Sequence, residues 1–116
     1  MNIIIDFETR SRCDLKIEGG DNYALHESTE ILCMAAVMED PEDNREWLWY
    51  PADGELEDEL WNLIWKAPLV MAHNAAFDRG IWAIGMDDHE FPKVEFDKWY
   101  CTSAQARVNA MPASLD

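Results

Sequence analysis

Two carboxylates stand two residues apart near the start of the chain. Asp6 and Glu8 follow the apolar run Ile3-Ile4-Ile5, which is typical of a buried central strand. Because side chains at positions i and i+2 leave the same face of a strand, both carboxylates could share a divalent cation. In a chain with 24 acidic residues such a pair can also be a solvated strand end. The position favours a site, since open α/β sheets place their ligands at the carboxyl ends of central strands.

A third carboxylate lies where a second short apolar run is predicted to turn into a helix. Asp78 falls in the first helical turn, where the helix dipole favours a negative charge. His73, Asn74 and Phe77 in the same segment also have structural explanations, as a strand-end residue, a helix N-cap and a core residue. Three carboxylates from two elements could nevertheless converge. Oxygen ligands of this kind suit Mg²⁺ or Mn²⁺.

The elements that would position these residues alternate between strands and helices. The helix over residues 54–66 is predicted to be capped by Asp53, and a second runs from its cap Asn74 until Gly85 ends it. A last helix follows Thr102 over residues 103–109, and residues 10–28 and 87–93 are predicted to be irregular. Strands are predicted over residues 2–6, 31–38, 45–50, 69–72 and 94–100. This order predicts a single α/β domain, in which an antiparallel hairpin is extended by crossovers into a mixed sheet with helices packed on it.

Composition and charge narrow the possible functions. The net charge of -15 opposes a phosphate backbone, so a nucleic acid would have to be held by divalent metals and a further basic region, or else is not a ligand. Cys13, Cys33 and Cys101 are widely spaced, which argues against a disulfide framework or thiolate zinc site and favours a reducing cytosol. No apolar run is long enough for a transmembrane helix, so no membrane association is expected.

Two segments of the chain resemble known motifs in the expected order. Residues 4–9, Ile-Ile-Asp-Phe-Glu-Thr, resemble the first motif of the DnaQ-like (DEDD) 3'-5' exonucleases, and residues 73–78, His-Asn-Ala-Ala-Phe-Asp, resemble the second. The closest resemblance is to the proofreading exonuclease region of phage-type family A DNA polymerases. It extends over further short segments, which are Tyr23-Ala24, residues 28–32, Cys101-Thr102 and residues 112–115.

The resemblance implies an RNase H-like fold and hydrolysis of the terminal phosphodiester at the 3' end of a single-stranded nucleic acid, DNA in the proofreading type. Two Mg²⁺ or Mn²⁺ ions would be bound, with Asp6 bridging both, Glu8 holding the ion that activates water and Asp78 binding the other. The localisation implied is the cytoplasm of a bacterial or phage-infected cell. The terminal nucleotide would be positioned by residues of both motifs, which are Phe7, Thr9, His73, Asn74 and Phe77.

The third motif of the family, a His or Tyr followed by a fourth Asp on a later helix, has no counterpart up to Asp116. Asp87, Asp88 and His89 would lie at the far end of the second helix, and Asp116 continues a segment that is a structural turn in relatives. We therefore expect a partial exonuclease domain, lacking its final helices, which is a fragment or shortened form with weak or no activity alone. A polymerase domain or a second subunit could complete it.

Two other functions are compatible with the sequence. One is a non-catalytic interaction or regulatory protein that retains the exonuclease scaffold. The other is an acidic protein that mimics a nucleic acid, with accidental motif matches. Metal binding would favour the exonuclease, and competition with DNA for a basic partner would favour the mimic.

Overall fold

The computed structural model describes residues 2–10 and 28–102, which form an α/β unit with a mixed five-stranded sheet. The spatial order of the strands is β3-β2-β1-β4-β5. β1 pairs with β2, and β2 with β3, in antiparallel orientation, whereas β1 pairs with β4, and β4 with β5, in parallel orientation. The predicted mixed sheet with the first strand at its centre is thus confirmed. The strands are β1 (Ile3–Arg10), β2 (Glu30–Met38), β3 (Glu46–Trp49), β4 (Val70–Ala72) and β5 (Trp99–Cys101).

One face of the sheet carries the hydrophobic core. Along β1 the buried side chains are Ile3, Ile5 and Phe7, and the registers with the other strands extend this face across the sheet. The helices α1 (Asp58–Lys66) and α2 (Ala75–His89) contribute their buried residues to the same core. On the other face of β1 the side chains of Asp6 and Glu8 are exposed. Neither helix is long and apolar enough to cross a membrane, within the described ranges.

The bounds of two strands differ from the predicted ones. β1 continues to Arg10, so Asp6 and Glu8 lie within the strand and not at its end. The reason is that β2 pairs with β1 along its whole length, which extends the strand well beyond the apolar run. β5 begins only at Trp99, after a 3-10 turn over Phe96–Lys98, and its three residues match the three of its partner β4.

The predicted start of the first helix was wrong. α1 begins at Asp58, with Glu57 as N-cap, instead of at Gly54 with Asp53 as cap. Residues Pro51–Asp53 form a 3-10 turn, and the Asp53 carboxylate accepts a hydrogen bond from the N–H of Tyr50 at 3.0 Å. Gly54 then takes φ +81, a conformation that suits glycine and separates the turn from the helix.

The predicted end of the second helix was also wrong. α2 runs through Gly85 to His89, so Asp87, Asp88 and His89 lie in its last turn and not in a loop. Gly85 is needed for packing, because a Cβ added there would lie 2.1 Å from the Phe91 ring. The helix ends at Glu90, whose φ of 56 is left-handed. The helix predicted over residues 103–109 lies outside the described residues.

Candidate metal and substrate site

The side chain of Asp78 is anchored to the central strand. The Asp78 carboxylate accepts a hydrogen bond from the backbone N–H of Phe7. The N–H of Ile3 donates to the carbonyl of Leu69, which precedes β4. Because backbone N–H groups alternate in direction along a strand, the amides of Ile5 and Phe7 also point towards the β4 side of β1. Pairing between β1 and β4 ends at Ile4 and Met71, so the Phe7 amide lies beyond it. Asp78 therefore takes the position at the edge of β1 that a longer β4 would occupy.

Asp78 is a buried carboxylate with an altered proton affinity. Its side chain is only 5% exposed, and it is the one charged residue in the core of the described chain. Burial is the main cause that raises its pKa, to about 7, and the negative charge of Asp6 raises it further. Hydrogen bonds from the backbone N–H groups of Asn74, Phe7 and Asp78 itself oppose this shift. Near neutral pH the Asp78 carboxyl is therefore partly protonated and partly ionised.

The structure brings Asp6 close enough to Asp78 for direct electrostatic repulsion. Glu8 shares the exposed face of β1 with Asp6, two residues further along the strand, but it is not among the groups that shift the pKa of Asp78. The three predicted ligands are therefore arranged as a close pair, Asp6 and Asp78, with Glu8 beside Asp6. Across residues 2–10 and 28–102, no three His, Cys, Asp or Glu side chains form a group that could hold a metal ion.

A β-bulge lies next to these carboxylates. Glu8 pairs with Cys33 whereas Thr9 pairs with Ile31, so Leu32 is an extra residue on β2. Bulges bend a strand and change the direction of nearby side chains, and they are frequent beside active sites. Neither strand shows a glycine or other residue that would indicate the bulge from sequence. It is a part of the candidate site that sequence reasoning missed.

His73 and Asn74 have structural contacts. The Nδ1 atom of His73 lies 3.4 Å from Oγ1 of Thr102, and its carbonyl accepts a hydrogen bond from Sγ of Cys101 at 3.4 Å. Asn74 is the N-cap of α2, and its side-chain oxygen accepts a hydrogen bond from the N–H of Phe77 at 3.5 Å. These contacts fix the start of α2, and with it the position of Asp78. The expected roles of His73 and Asn74 in substrate binding stay predictions.

The two phenylalanines differ in exposure. Phe7 is buried, and its ring lies 6.1 Å from that of Trp82, one turn beyond Asp78 in α2. The Phe7 side chain therefore packs in the core against α2, and the Phe7 backbone N–H donates to the Asp78 carboxylate. Phe77 is half-buried and packs against the edge of the core. Thr9 is also half-buried, next to the bulge.

Trp82 is a supporting residue that the sequence did not identify, although its spacing of four from Asp78 places both residues on one side of the helix.

The donor set fits a hard divalent cation in type. Two carboxylates from separate elements, Asp6 and Asp78, lie close enough to repel each other, and no basic side chain contributes to the pKa of the buried one. Mg²⁺ is commonly bound through one or two carboxylates, with water and substrate phosphates completing its octahedron. Asp6 and Asp78 supply that number, and Glu8 lies two residues beyond Asp6 on the same face of β1.

No protein-family model matches the chain, and searches of curated proteins and of solved structures give no match either. The class that the structure itself defines is an α/β unit with a mixed five-stranded sheet and a carboxylate pair beside its central strand.

Proposed function

We propose that this chain is a metal-dependent exonuclease domain of the 3'-5' type, which hydrolyses the terminal phosphodiester of a single-stranded nucleic acid, DNA in the proofreading role. One observation carries the proposal. Asp78 is buried close to Asp6, although burial and the charge of Asp6 both raise its pKa, and the hydrogen bond from the Phe7 amide only partly opposes this shift. A divalent cation would relieve both costs.

Asp6 and Asp78 would hold the cation between them, and Glu8 would add a ligand on the exposed face of β1. A divalent cation bound here would polarise the scissile phosphate, activate a water molecule and stabilise charge on the leaving 3' oxygen. The protein's own contribution is to fix the carboxylates. The Phe7 amide and the N-cap Asn74 hold Asp78 in place, and the Phe7–Trp82 contact keeps that end of β1 against α2.

The fold is compatible with this proposal. The antiparallel β1-β2-β3 unit extended by parallel β4 and β5 is the kind of mixed sheet expected for an RNase H-like domain. The segments that resemble the two exonuclease motifs lie in β1 and at the start of α2, and the parallel β1–β4 pairing makes these neighbouring elements. These features support the assignment of Asp6, Glu8 and Asp78 as metal ligands, which the resemblance to the exonuclease family implies.

Metal binding tests the proposal directly. Isothermal titration with Mn²⁺ at neutral pH should show binding to the native chain, which is lost in Asp78→Asn and weakened at least tenfold in Asp6→Asn. Asp58→Asn is the matched control, because Asp58 is an exposed Asp in the first turn of the other helix. Equal Mn²⁺ affinity in all four proteins would refute the site.

Activity gives a second measurement. On single-stranded DNA with Mg²⁺ or Mn²⁺, the 116-residue chain should release terminal nucleotides at a negligible rate. The physical reason is that a positioned general base contributes about 10² to 10⁴-fold, and the third motif that supplies it in the family has no counterpart in these residues. Added polypeptide with that motif should restore turnover that depends on Asp6. Fast hydrolysis by the chain alone, abolished in Asp6→Ala, would show that a residue outside the assigned set acts as base.

A second candidate function is a non-catalytic binding or regulatory domain on the same scaffold. The contacts of His73 and Asn74 favour it, because both residues are engaged in holding β5 and α2. A chain of this kind would bind its partner without Mn²⁺, and substitution of Asp6 or Asp78 would leave that binding intact.

A further inference from the structure

The positive charges within residues 2–10 and 28–102 differ in their ion pairing. Arg10 is paired with Glu30, Lys93 with Glu95, and Arg45 with both Asp43 and Glu59. The other described cations are Lys66, Arg79 and Lys98, and none of them forms an ion pair within the described ranges.

These three cations lie around the C-terminal end of α1 and the turn that precedes β5. The Nζ of Lys98 donates to the carbonyl of Trp65 at 3.0 Å, and Lys66 follows Trp65 in the last turn of α1. The guanidinium of Arg79 lies over the Phe96 ring, 4.4 Å from its centroid. Lys98 and Arg79 are therefore held by neutral groups, a carbonyl and an aromatic ring, so their charges remain available to an anion.

Two aromatic rings of this region are exposed to solvent. Phe96 is 72% exposed, and because Arg79 covers one face of its ring, the other face is open. Trp65 is 51% exposed and stacks on Trp61, with ring centroids 5.7 Å apart and planes at 22°. A ring supported on one face and open on the other is suited to stack against a planar base. We refer to Trp65, Lys66, Arg79, Phe96 and Lys98 as the aromatic-basic surface.

We propose that the aromatic-basic surface binds single-stranded nucleic acid, with bases stacked on Phe96 and Trp65 and phosphates contacted by Lys66, Arg79 and Lys98. The combination of open rings and cations that form no ion pair with a described residue fits a strand that presents both bases and phosphates. An acidic protein segment would use the cations but has no need for two supported rings. This inference rests on the proposed function in one respect: the bound nucleic-acid strand would extend from the aromatic-basic surface to the carboxylates of Asp6 and Asp78.

The position of the surface agrees with such a path. Arg79 directly follows Asp78 in α2, so the backbone near the start of this helix is common to the surface and the candidate metal site. It would attract the phosphate backbone locally while the remaining surface, with its net negative charge, repels it. Asp97 lies in the same turn as Phe96 and Lys98, and Glu95 is the N-cap of that turn, so both carboxylates reduce the local positive charge, Glu95 also being paired with Lys93.

Binding of a short fluorescein-labelled oligothymidylate, followed by anisotropy at low salt with excess EDTA, tests the surface separately from the metal site. Phe96→Ala should weaken binding about tenfold or more, in the range measured for loss of one stacked base. Lys98→Gln and Arg79→Gln should each weaken binding and lower the salt dependence by about 0.7 in log-log slope, and Lys98→Arg should restore it.

Arg45→Gln is the matched control, because Arg45 also lies over an aromatic ring, that of Trp47, but is neutralised by two carboxylates. Tyr50→Ala controls for the loss of an exposed aromatic ring elsewhere. Both variants should bind as the native chain does, and thermal melts should show that all variants are folded. No binding at low salt, or equal affinity in all folded variants, would overturn the proposal.

Two further outcomes would overturn the proposal by assigning the aromatic-basic surface to a partner other than a nucleic acid. Binding of poly-glutamate as tight as that of the oligonucleotide, and unchanged by Phe96→Ala, would assign the surface to an acidic protein. A dimer in sedimentation that dissociates in Phe96→Ala would assign it to a second copy. The metal titration is independent of these results. Mn²⁺ binding without oligonucleotide binding would overturn only the present inference, and oligonucleotide binding without Mn²⁺ binding would overturn only the metal site.

Discussion

Both helices have acidic residues in their first turn, but the exposure of these residues differs. Asp58 and Glu59 in the first turn of α1 are exposed, whereas Asp78 in the first turn of α2 is buried with a pKa of about 7. A carboxylate near a helix N-terminus gains about 0.3–1 kcal/mol from the dipole. A pKa raised from 3.8 to about 7 corresponds to a cost of about 4 kcal/mol for the ionised form. The dipole explains Asp58 and Glu59, but it is too weak to explain Asp78.

The largest expected effect is on stability. Asp78→Asn should make the metal-free protein roughly 2–4 kcal/mol more stable than the native chain at pH 8, because the amide stays neutral in the buried position. The equivalent substitution Asp58→Asn should change the free energy of unfolding by less than about 0.5 kcal/mol, since Asp58 is exposed. Urea unfolding in EDTA measures both. A loss of stability in Asp78→Asn would mean that the charged carboxylate itself holds the fold together.

The difference between the native chain and Asp78→Asn should also depend on pH. The pKa of Asp78 is higher in the folded protein than its ordinary value of 3.8, so the folded state binds the proton more tightly than the unfolded state. The stability contributed by protonated Asp78 is therefore fully present below about pH 4 and is lost as the pH rises through about 7. Unfolding curves from pH 4 to 8 should show the two proteins diverging over this range, while Asp58→Asn stays parallel to the native chain.

The caps of the two helices should differ by a smaller amount. Asn74 caps α2 through its side chain, whereas Glu57 makes no side-chain cap hydrogen bond to α1. Asn74→Ala should therefore cost about 1 kcal/mol, and Glu57→Ala should cost less, because it removes no cap and only the exposed hydrogen bond that Glu57 accepts from Nε1 of Trp47. Thermal unfolding of the two variants measures the difference. Since Asn74 also positions Asp78, its substitution should weaken Mn²⁺ binding as well, which Glu57→Ala should not do.

The smallest effect is expected at Asp6. Asp6→Ala should leave the metal-free protein unchanged or stabilise it by up to about 1 kcal/mol, because it removes a charge that repels Asp78. Equilibrium urea unfolding at pH 8 checks this. A destabilisation above roughly 2 kcal/mol would show that Asp6 has a structural role in β1.

The same comparison shows what the sequence could predict. A continuous apolar run correctly predicted the central strand β1, the turn at residues 41–44 the β2–β3 hairpin, and apolar residues at helical spacing the presence of both helices, because each element buries one face against a common core. The start of α1 was missed because Gly54 and Leu56 fit helical spacing, while the local hydrogen bond from Tyr50 to Asp53 favoured a 3-10 turn. The end of α2 was missed because Gly85 is required by the Phe91 ring, a contact between residues six apart that composition does not reveal.

The candidate site was predictable in part. The sequence predicted Asp6, Glu8 and Asp78 as ligands, and the structure brings Asp6 close to Asp78, whereas Glu8 has no resolved effect on the pKa of Asp78. The anchor of Asp78 on the Phe7 amide depends on where β4 stops pairing with β1, and this is a property of the assembled sheet. The aromatic-basic surface was not predicted, because thirty residues separate Trp65 from Phe96 in the sequence, and the two regions are joined by the hydrogen bond from Lys98 to the carbonyl of Trp65.

The contact between Gly85 and Phe91 also constrains how this chain can evolve. Any side chain at position 85 would occupy the space of the Phe91 ring, which in turn packs against Trp49 and Trp82. Substitutions at positions 85 and 91 should therefore be tolerated only in combination, a larger residue at one with a smaller residue at the other. Among descendants and relatives of this chain, the two positions are expected to change together, and a relative that keeps Phe at 91 should keep Gly at 85.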